Sequence, residues 1–279
     1  MRKSPETCIY CNSKAKMTSE HIFGDWLKKH LNSRSIGTTH FTSFRLRDLL
    51  TGETVNSSMA KGRLNRPGAP HAHQLKLVCR KCNETWMNGI QNAARPYLLD
   101  LIKGIWPAFT PQGIQDVATW ATMVTTSIEF ADAKTNTSDE SERSLFMTQG
   151  HPGQNWRVCV GLCNTASDPG SFWHRASSIG LEESPEIIAQ ENKVQTTIFP
   201  LGRCFFHTLR GPANAIPDAA DYAAELGIRQ FWPLPNGSLP APNVFTDAGL
   251  NRVATLFWVK NGITPAAHFG MFSPEGETS

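Results

Sequence analysis

Two Cys-x-x-Cys pairs, Cys8-Ile9-Tyr10-Cys11 and Cys79-Arg80-Lys81-Cys82, constrain this chain more than any other feature. Brought together, four thiolates meet the tetrahedral preference of Zn²⁺, and a metal held that way closes a small fold that cannot bury enough apolar surface by itself. The 67 residues between Cys11 and Cys79 must then leave the metal and return to it. Cys159, Cys163 and Cys204 lie in apolar, strand-like runs, where a free cysteine serves as a small core residue.

Charge divides along the chain. Residues 1 to 100 hold 16 Lys and Arg against 7 Asp and Glu, and the rest hold 11 against 17. The basic surplus coincides with the cysteine pairs. Attraction to a phosphate backbone needs such a surplus, whereas an acidic segment is repelled by that polyanion, so contact with DNA is expected in the first hundred residues. With 279 residues and 40% hydrophobic content, the chain has room for two globular domains. It has no run of eighteen apolar residues and no apolar stretch after Met1, so a soluble, cytoplasmic protein with no membrane partner is expected.

The residues from Ser19 to Leu31 place Phe23, Trp26, Leu27 and Leu31 at helical spacing. The glycine- and proline-rich stretch from Asn32 to Ala72, with alternating Phe41-Thr42-Ser43-Phe44-Arg45-Leu46, predicts an inserted hairpin and loops. Gln74 to Val78 alternates as a strand, and Asn83 to Asn92 follows as a helix, giving the order strand, cysteine pair, helix. Pro96 is expected to bend or restart that helix, and the two prolines between Gly104 and Pro111 mark a boundary, with domains at 1–105 and 106–279. Beyond it, Gln112 to Ala133 predicts a long helix, followed by an acidic linker from Asp132 to Glu142. Runs at 156–160, 194–199, 203–209 and 253–259 predict strands, so the second domain is expected to be α+β with a mainly antiparallel sheet. Trp26, Trp86 and Trp106 are expected to be packing anchors.

Between the cysteine pairs stands Ser19-Glu20-His21-Ile22, and the second pair continues as Cys82-Asn83 and then Trp86-Met87-Asn88. In these residues the first hundred positions resemble the HNH endonuclease family, in its bacterial and phage subgroup. The resemblance implies a ββα-metal fold stapled by a four-cysteine zinc site. It also implies His21 as the general base that activates water, Glu20 as ligand of a catalytic Mg²⁺ or Mn²⁺, and Asn83 as a further ligand. At the family's middle position, usually Asn, this chain has His73-Gln74; Gln74 offers the same amide donor and His73 a metal or phosphate contact.

The chemistry stands without the family name. Phosphodiester hydrolysis needs an activated water, a cation to neutralise developing charge and a fixed geometry between them. An imidazole of ordinary pKa, about 6.5, accepts a proton near neutrality. Oxygen ligands such as Glu20 and Asn83 suit Mg²⁺ or Mn²⁺, while four thiolates suit Zn²⁺, so a structural and a catalytic ion are expected. Adjacent strand residues point to opposite faces, so Glu20 and His21 serve one site only where the strand ends or bends. The rival reading is a zinc-stapled DNA-binding or protein-interaction module that cuts nothing. Residues 106–279 show no nucleophile-base pair or metal spacing, and are expected to recognise a target, a ligand or a protein partner. Paired cuts in duplex DNA call for a homo-oligomer, since one site cuts one strand at a time.

Overall fold

A computed structural model describes residues 5–31, 41–47, 54–60, 74–130, 136–164, 172–178 and 193–260. Its first strands are β1 (Met17–His21), β2 (Phe41–Arg47), β3 (Thr54–Ala60) and β4 (Gln74–Cys79), with a 3-10 turn at Asp25–Lys29. In β4, Leu75 and Leu77 are buried while Gln74 and Lys76 are exposed, the alternation of a strand with one covered face. It pairs antiparallel with β1, setting Met17 opposite Cys79 and His21 opposite Gln74. Strand β4 runs directly into helix α1, which starts at Arg80, widens through a π-helical turn at Asn83–Met87 and continues through Asn88–Ile102. The order strand, cysteine pair, helix is therefore the one expected.

Helix α2 (Pro111–Glu129) is capped by Thr110, whose hydroxyl accepts the Gly113 N–H at 3.0 Å, and Pro111 sits at the start of the helix, where its missing N–H costs nothing. Then follow α3 (Glu140–Gln149), β5 (Trp156–Cys163), β6 (Trp173–Ser178), β7 (Lys193–Leu201), β8 (Cys204–Arg210), α4 (Ala219–Leu226), β9 (Arg229–Trp232), β10 (Val244–Phe245) and α5 (Asp247–Lys260). Among the described residues eight strands form one sheet in the order β10-β5-β8-β7-β6-β2-β3, with β9 also on β5. The sheet is mainly antiparallel; β10 with β5 and β2 with β6 are the parallel pairs.

Strand alternation sorts the side chains to two faces. Val158, Val160, Phe199 and Phe206 share a core with α1, α2 and the N-terminal residues Tyr10, Phe23 and Leu27. Cys159, Ile198, Phe205 and Leu209 share the other with α4 and α5. A sheet covered on both faces buries nearly every side chain, so β5, β7 and β8 show continuous burial in place of alternation, with polar residues such as Gln195, Thr197 and His207 buried among the apolar ones. Cys159, Cys163 and Cys204 are buried in these cores.

The helix expected over residues 19–31 does not form. Strand β1 keeps its pairing to His21, and Gly24 then takes φ 86°, a backbone that L side chains avoid, so only the Asp25–Lys29 turn remains, with Leu27 buried beneath it. Helix α1 passes through Pro96 uninterrupted. The run 253–259, expected as a strand, is the second half of α5. Leu250, Val253, Ala254, Phe257 and Trp258 are its buried residues, spaced by threes and fours, and packing on the second core outweighs the strand preference of branched and aromatic side chains. The acidic linker ends in a helix start, where Asp139 accepts the Glu142 N–H at 2.7 Å. The expected insertion does hold a hairpin, β2 with β3, and it extends the large sheet through β6. Residues from both sides of position 105 thus build one sheet and share one core. Among the described residues no helix is long and apolar enough to cross a membrane.

Candidate zinc cluster and polar site

A turn builds the first cysteine pair. Asn12 N–H donates to Cys8 O and Cys8 N–H to Ser13 O, both at 2.9 Å, with Asn12 at φ 56°. Ile9 N–H donates to Leu77 O at 3.1 Å, which seats this turn on β4 close to Cys79. Cys79 ends the strand and Cys82 lies in the first turn of α1. All four sulfurs lie within 4.8 Å of one another, those of Cys11 and Cys79 at 3.6 Å. Zinc–sulfur bonds of about 2.3 Å at tetrahedral angles set sulfurs about 3.8 Å apart, so the cluster fits the ion.

Burial pushes the Cys11 and Cys82 thiols up. At Cys8 burial pushes the same way, but the backbone N–H groups of Cys11, Cys79 and Tyr10 outweigh it and hold the thiol below its ordinary value. The Trp86 side chain, one turn along α1, acts on Cys82 in the thiolate-favouring sense. Helix α3 clamps the outer side: Arg143 Nε donates to Ile9 O at 2.8 Å, Ser144 Oγ to Tyr10 O at 2.9 Å, and Phe146 packs edge-on to Trp86 with ring centres 5.8 Å apart.

Beside this cluster, the pairing of β1 slips: Thr18 stands opposite Val78, but Glu20 stands opposite Leu75. The bulge, together with the strand's end at His21, frees Glu20 and His21 from the strict opposition of a flat strand. His21 Nε2 lies 2.8 Å from Gln74 Nε2 and 3.2 Å from Asp25 Oδ1, and Asp25 is itself paired with Lys28. We assign the imidazole proton to Nε2 because the Asp25 carboxylate only accepts; this requires the Gln74 amide turned over so that its oxygen accepts, since as placed its N–H would donate to an unprotonated Nε2. Among the described residues Nδ1 has no hydrogen-bond partner, so it keeps its lone pair. Partial burial and the Lys28 charge lower the His21 pKa, Asp25 opposing.

Glu20 faces α1. Burial raises its carboxyl above the ordinary value, hydrogen bonding from the Asn83 and Gln91 side chains opposes this, and the nearby Asp25 charge adds to it. Asn83 Nδ2 also donates to Thr18 Oγ1 at 3.2 Å. Gln91 is buried, and a Cβ added to Gly24 would come within 2.3 Å of its Oε1. A carboxylate next to a side-chain amide is a donor pair of the oxygen type that Mg²⁺ and Mn²⁺ take.

Of the residues singled out by sequence, the four cysteines converge, Gln74 meets His21 and Asn83 meets Glu20. His73 lies outside the described residues. Sequence reasoning does not single out Asp25 or Gln91, although Asp25 stands four residues after His21 and Gln91 eight after Asn83, two turns along the same helix side. Comparison with protein-family models, with curated proteins and with solved structures gave no match.

Proposed function

We propose that this chain is a metal-dependent endonuclease of the HNH type that hydrolyses phosphodiester bonds in DNA. The observation that carries the reading is the convergence, on the first cysteine turn, the β1–β4 strand pair and helix α1, of a four-thiol cluster, an imidazole held through Nε2 with Nδ1 open, and a carboxylate beside an amide. In this reading Nδ1 of His21 takes the proton of the attacking water, while Asp25 and Gln74 hold the ring and stabilise it once charged. Glu20 and Asn83 would hold Mg²⁺ or Mn²⁺, which when bound neutralises charge developing on the phosphate and the leaving oxygen. Zinc on Cys8, Cys11, Cys79 and Cys82 would fix the first cysteine turn against β4 and α1 and take no part in the chemistry. Residues 1–105 are the cutting portion and 106–279 select target, ligand or partner.

The test is nicking of supercoiled plasmid in Mg²⁺ and Mn²⁺. His21→Ala is expected to lower the rate by about 10²–10⁴-fold with zinc content and melting temperature retained. An unchanged rate in that variant removes the catalytic assignment. Binding of DNA without divalent-dependent cleavage would support a non-catalytic zinc-stapled module instead.

A further inference from the structure

An open groove of about 880 Å³ runs along the zinc cluster, between β1, β4 and the first turns of α1, with Met147 of α3 at its edge. That volume lies in the range of small-ligand sites, about 300–1,000 Å³. Cys11, Cys79 and Cys82 line its floor, so the groove opens onto the candidate metal site itself. Beyond the cysteines, Met17, Trp86 and Met147 are apolar, and Lys16, Lys76, Arg80 and Lys81 are exposed cations; none of the described lining residues is acidic. Arg80 makes a loose exposed pair with Glu84 at 3.7 Å. Trp86 is set edge-on to Tyr10, with ring centres 4.7 Å apart at 88°, and to Phe146, so its place in the wall is fixed before anything binds. Thr18 and Ser19 also line the groove. His21 stands two residues beyond Ser19 on β1, about 7 Å away at strand rise.

We propose that this groove holds an unpaired nucleotide of a nucleic-acid strand, its base on the apolar wall and its phosphates at the four cations, so that the protein favours single-stranded or locally opened substrate. The proposal deepens the endonuclease reading and rests on it for the cutting site that the groove adjoins. Charge alone would suit any polyanion. The apolar wall discriminates, because a base has an apolar face to stack while a bare phosphate chain has none. A base within a duplex presents only its edge in a groove and reaches such a wall only after unpairing.

Binding is measured by fluorescence anisotropy on the full chain carrying His21→Ala, with zinc bound and no other divalent ion added. The probes are a labelled oligothymidine, a duplex of equal length, and inorganic polyphosphate as competitor. The single strand is expected to bind at least tenfold tighter than the duplex, and polyphosphate to compete poorly. Lys76→Glu with Lys81→Glu is expected to weaken binding at least tenfold and to lower the slope of log affinity against log salt by about 1.4, two single-strand phosphate contacts at about 0.7 each. Thr85→Trp, an exposed lining position, fills the groove and is expected to weaken binding at least fivefold with the salt slope unchanged. Equal affinity for duplex and single strand, effective competition by polyphosphate, or parental binding by either variant overturns the proposal. Failure of the nuclease reading looks different: groove-dependent single-strand binding would persist while the native sequence cleaves nothing in any metal. Cleavage that depends on His21 but ignores Thr85→Trp would sink the groove alone.

Discussion

Histidines and hydroxyls gather in two regions of this molecule, with opposite outcomes. In the large sheet, His174 Nδ1 lies 2.6 Å from Thr197 Oγ1, His207 Nε2 lies 2.9 Å from Tyr222 OH, and Thr125 Oγ1 lies 2.9 Å from Thr208 Oγ1. These residues are all essentially inaccessible to solvent. Burial drives His207 down to about 4. Such groups hold strands to one another and to α4, and nothing from outside can reach them. On the β1–β4 strand pair, His21 keeps part of its surface, is held through one nitrogen and leaves the other open. Polar residues in number do not mark a site; a polar atom that is oriented and still reachable does.

The two regions also differ in what holds them. The sheet is packed on both faces by helices, whereas the end of β4, the start of α1 and the first cysteine turn converge on four sulfurs. Structural zinc supplies an apparent 10–16 kcal/mol, roughly, to small zinc-dependent folds. Cys79→Ser is therefore expected to release zinc and to strip hydrogen-exchange protection from the amides of β4, while those of β7 and β8 keep theirs. This is the largest effect expected. Loss of protection in both regions at once would break the comparison, and it has a physical route, since Phe23, just after β1, packs on Phe199 of β7 with ring centres 5.5 Å apart.

A smaller test concerns the closed histidine. His207 titrates near 4 in the folded chain and near its ordinary 6.5 when unfolded, so the unfolded chain binds the proton more readily. Its contribution to stability is complete above about pH 6.5 and is lost as pH falls toward 4, by about 3 kcal/mol at full effect. Urea unfolding of the native sequence should show that loss, and His207→Asn should flatten it by a comparable amount. If the variant's stability falls with pH as steeply as the parent's, His207 is not held neutral, and the contrast with His21 disappears.

The legibility of the sequence follows the same division. The cysteine spacing announced the cluster because metal ligation demands particular residues at particular separations, and Leu75 and Leu77 announced β4 because one covered face imposes a period of two. The sheet's two buried faces erased that period, leaving its strands readable only by their branched and aromatic content. The same ambiguity hid α5, where Leu250, Val253, Ala254 and Phe257 carry the helical spacing but Val253-Ala254-Thr255-Leu256-Phe257 has a strand's composition. The docking of the β2–β3 hairpin on β6 depends on partners more than a hundred residues away, and no local pattern states it. Asp25 and Gln91 escaped for a related reason: both lie beside Gly24, whose φ of 86° breaks the expected helix.

Gly24 is where the open site is most delicately set, and it supports the smallest of the tests. A side chain there requires an unfavourable backbone, at a cost of about 2 kcal/mol, and its Cβ would lie 2.3 Å from Gln91 Oε1. Gly24→Ala should therefore lower the melting temperature by several degrees and displace the Gln91 amide from Glu20, weakening Mn²⁺ binding about tenfold in a titration followed by tryptophan fluorescence, with zinc retained. Gln91→Leu removes the amide without the backbone cost, so it should reproduce the loss of Mn²⁺ affinity with a smaller change in melting temperature. Agreement between the two variants in metal affinity, with divergence in stability, assigns the effect to the orientation of Glu20. Parental Mn²⁺ affinity in both would leave Asn83 alone to position that carboxylate, and Gln91 would then belong with the sheet's histidines as a polar group buried for packing.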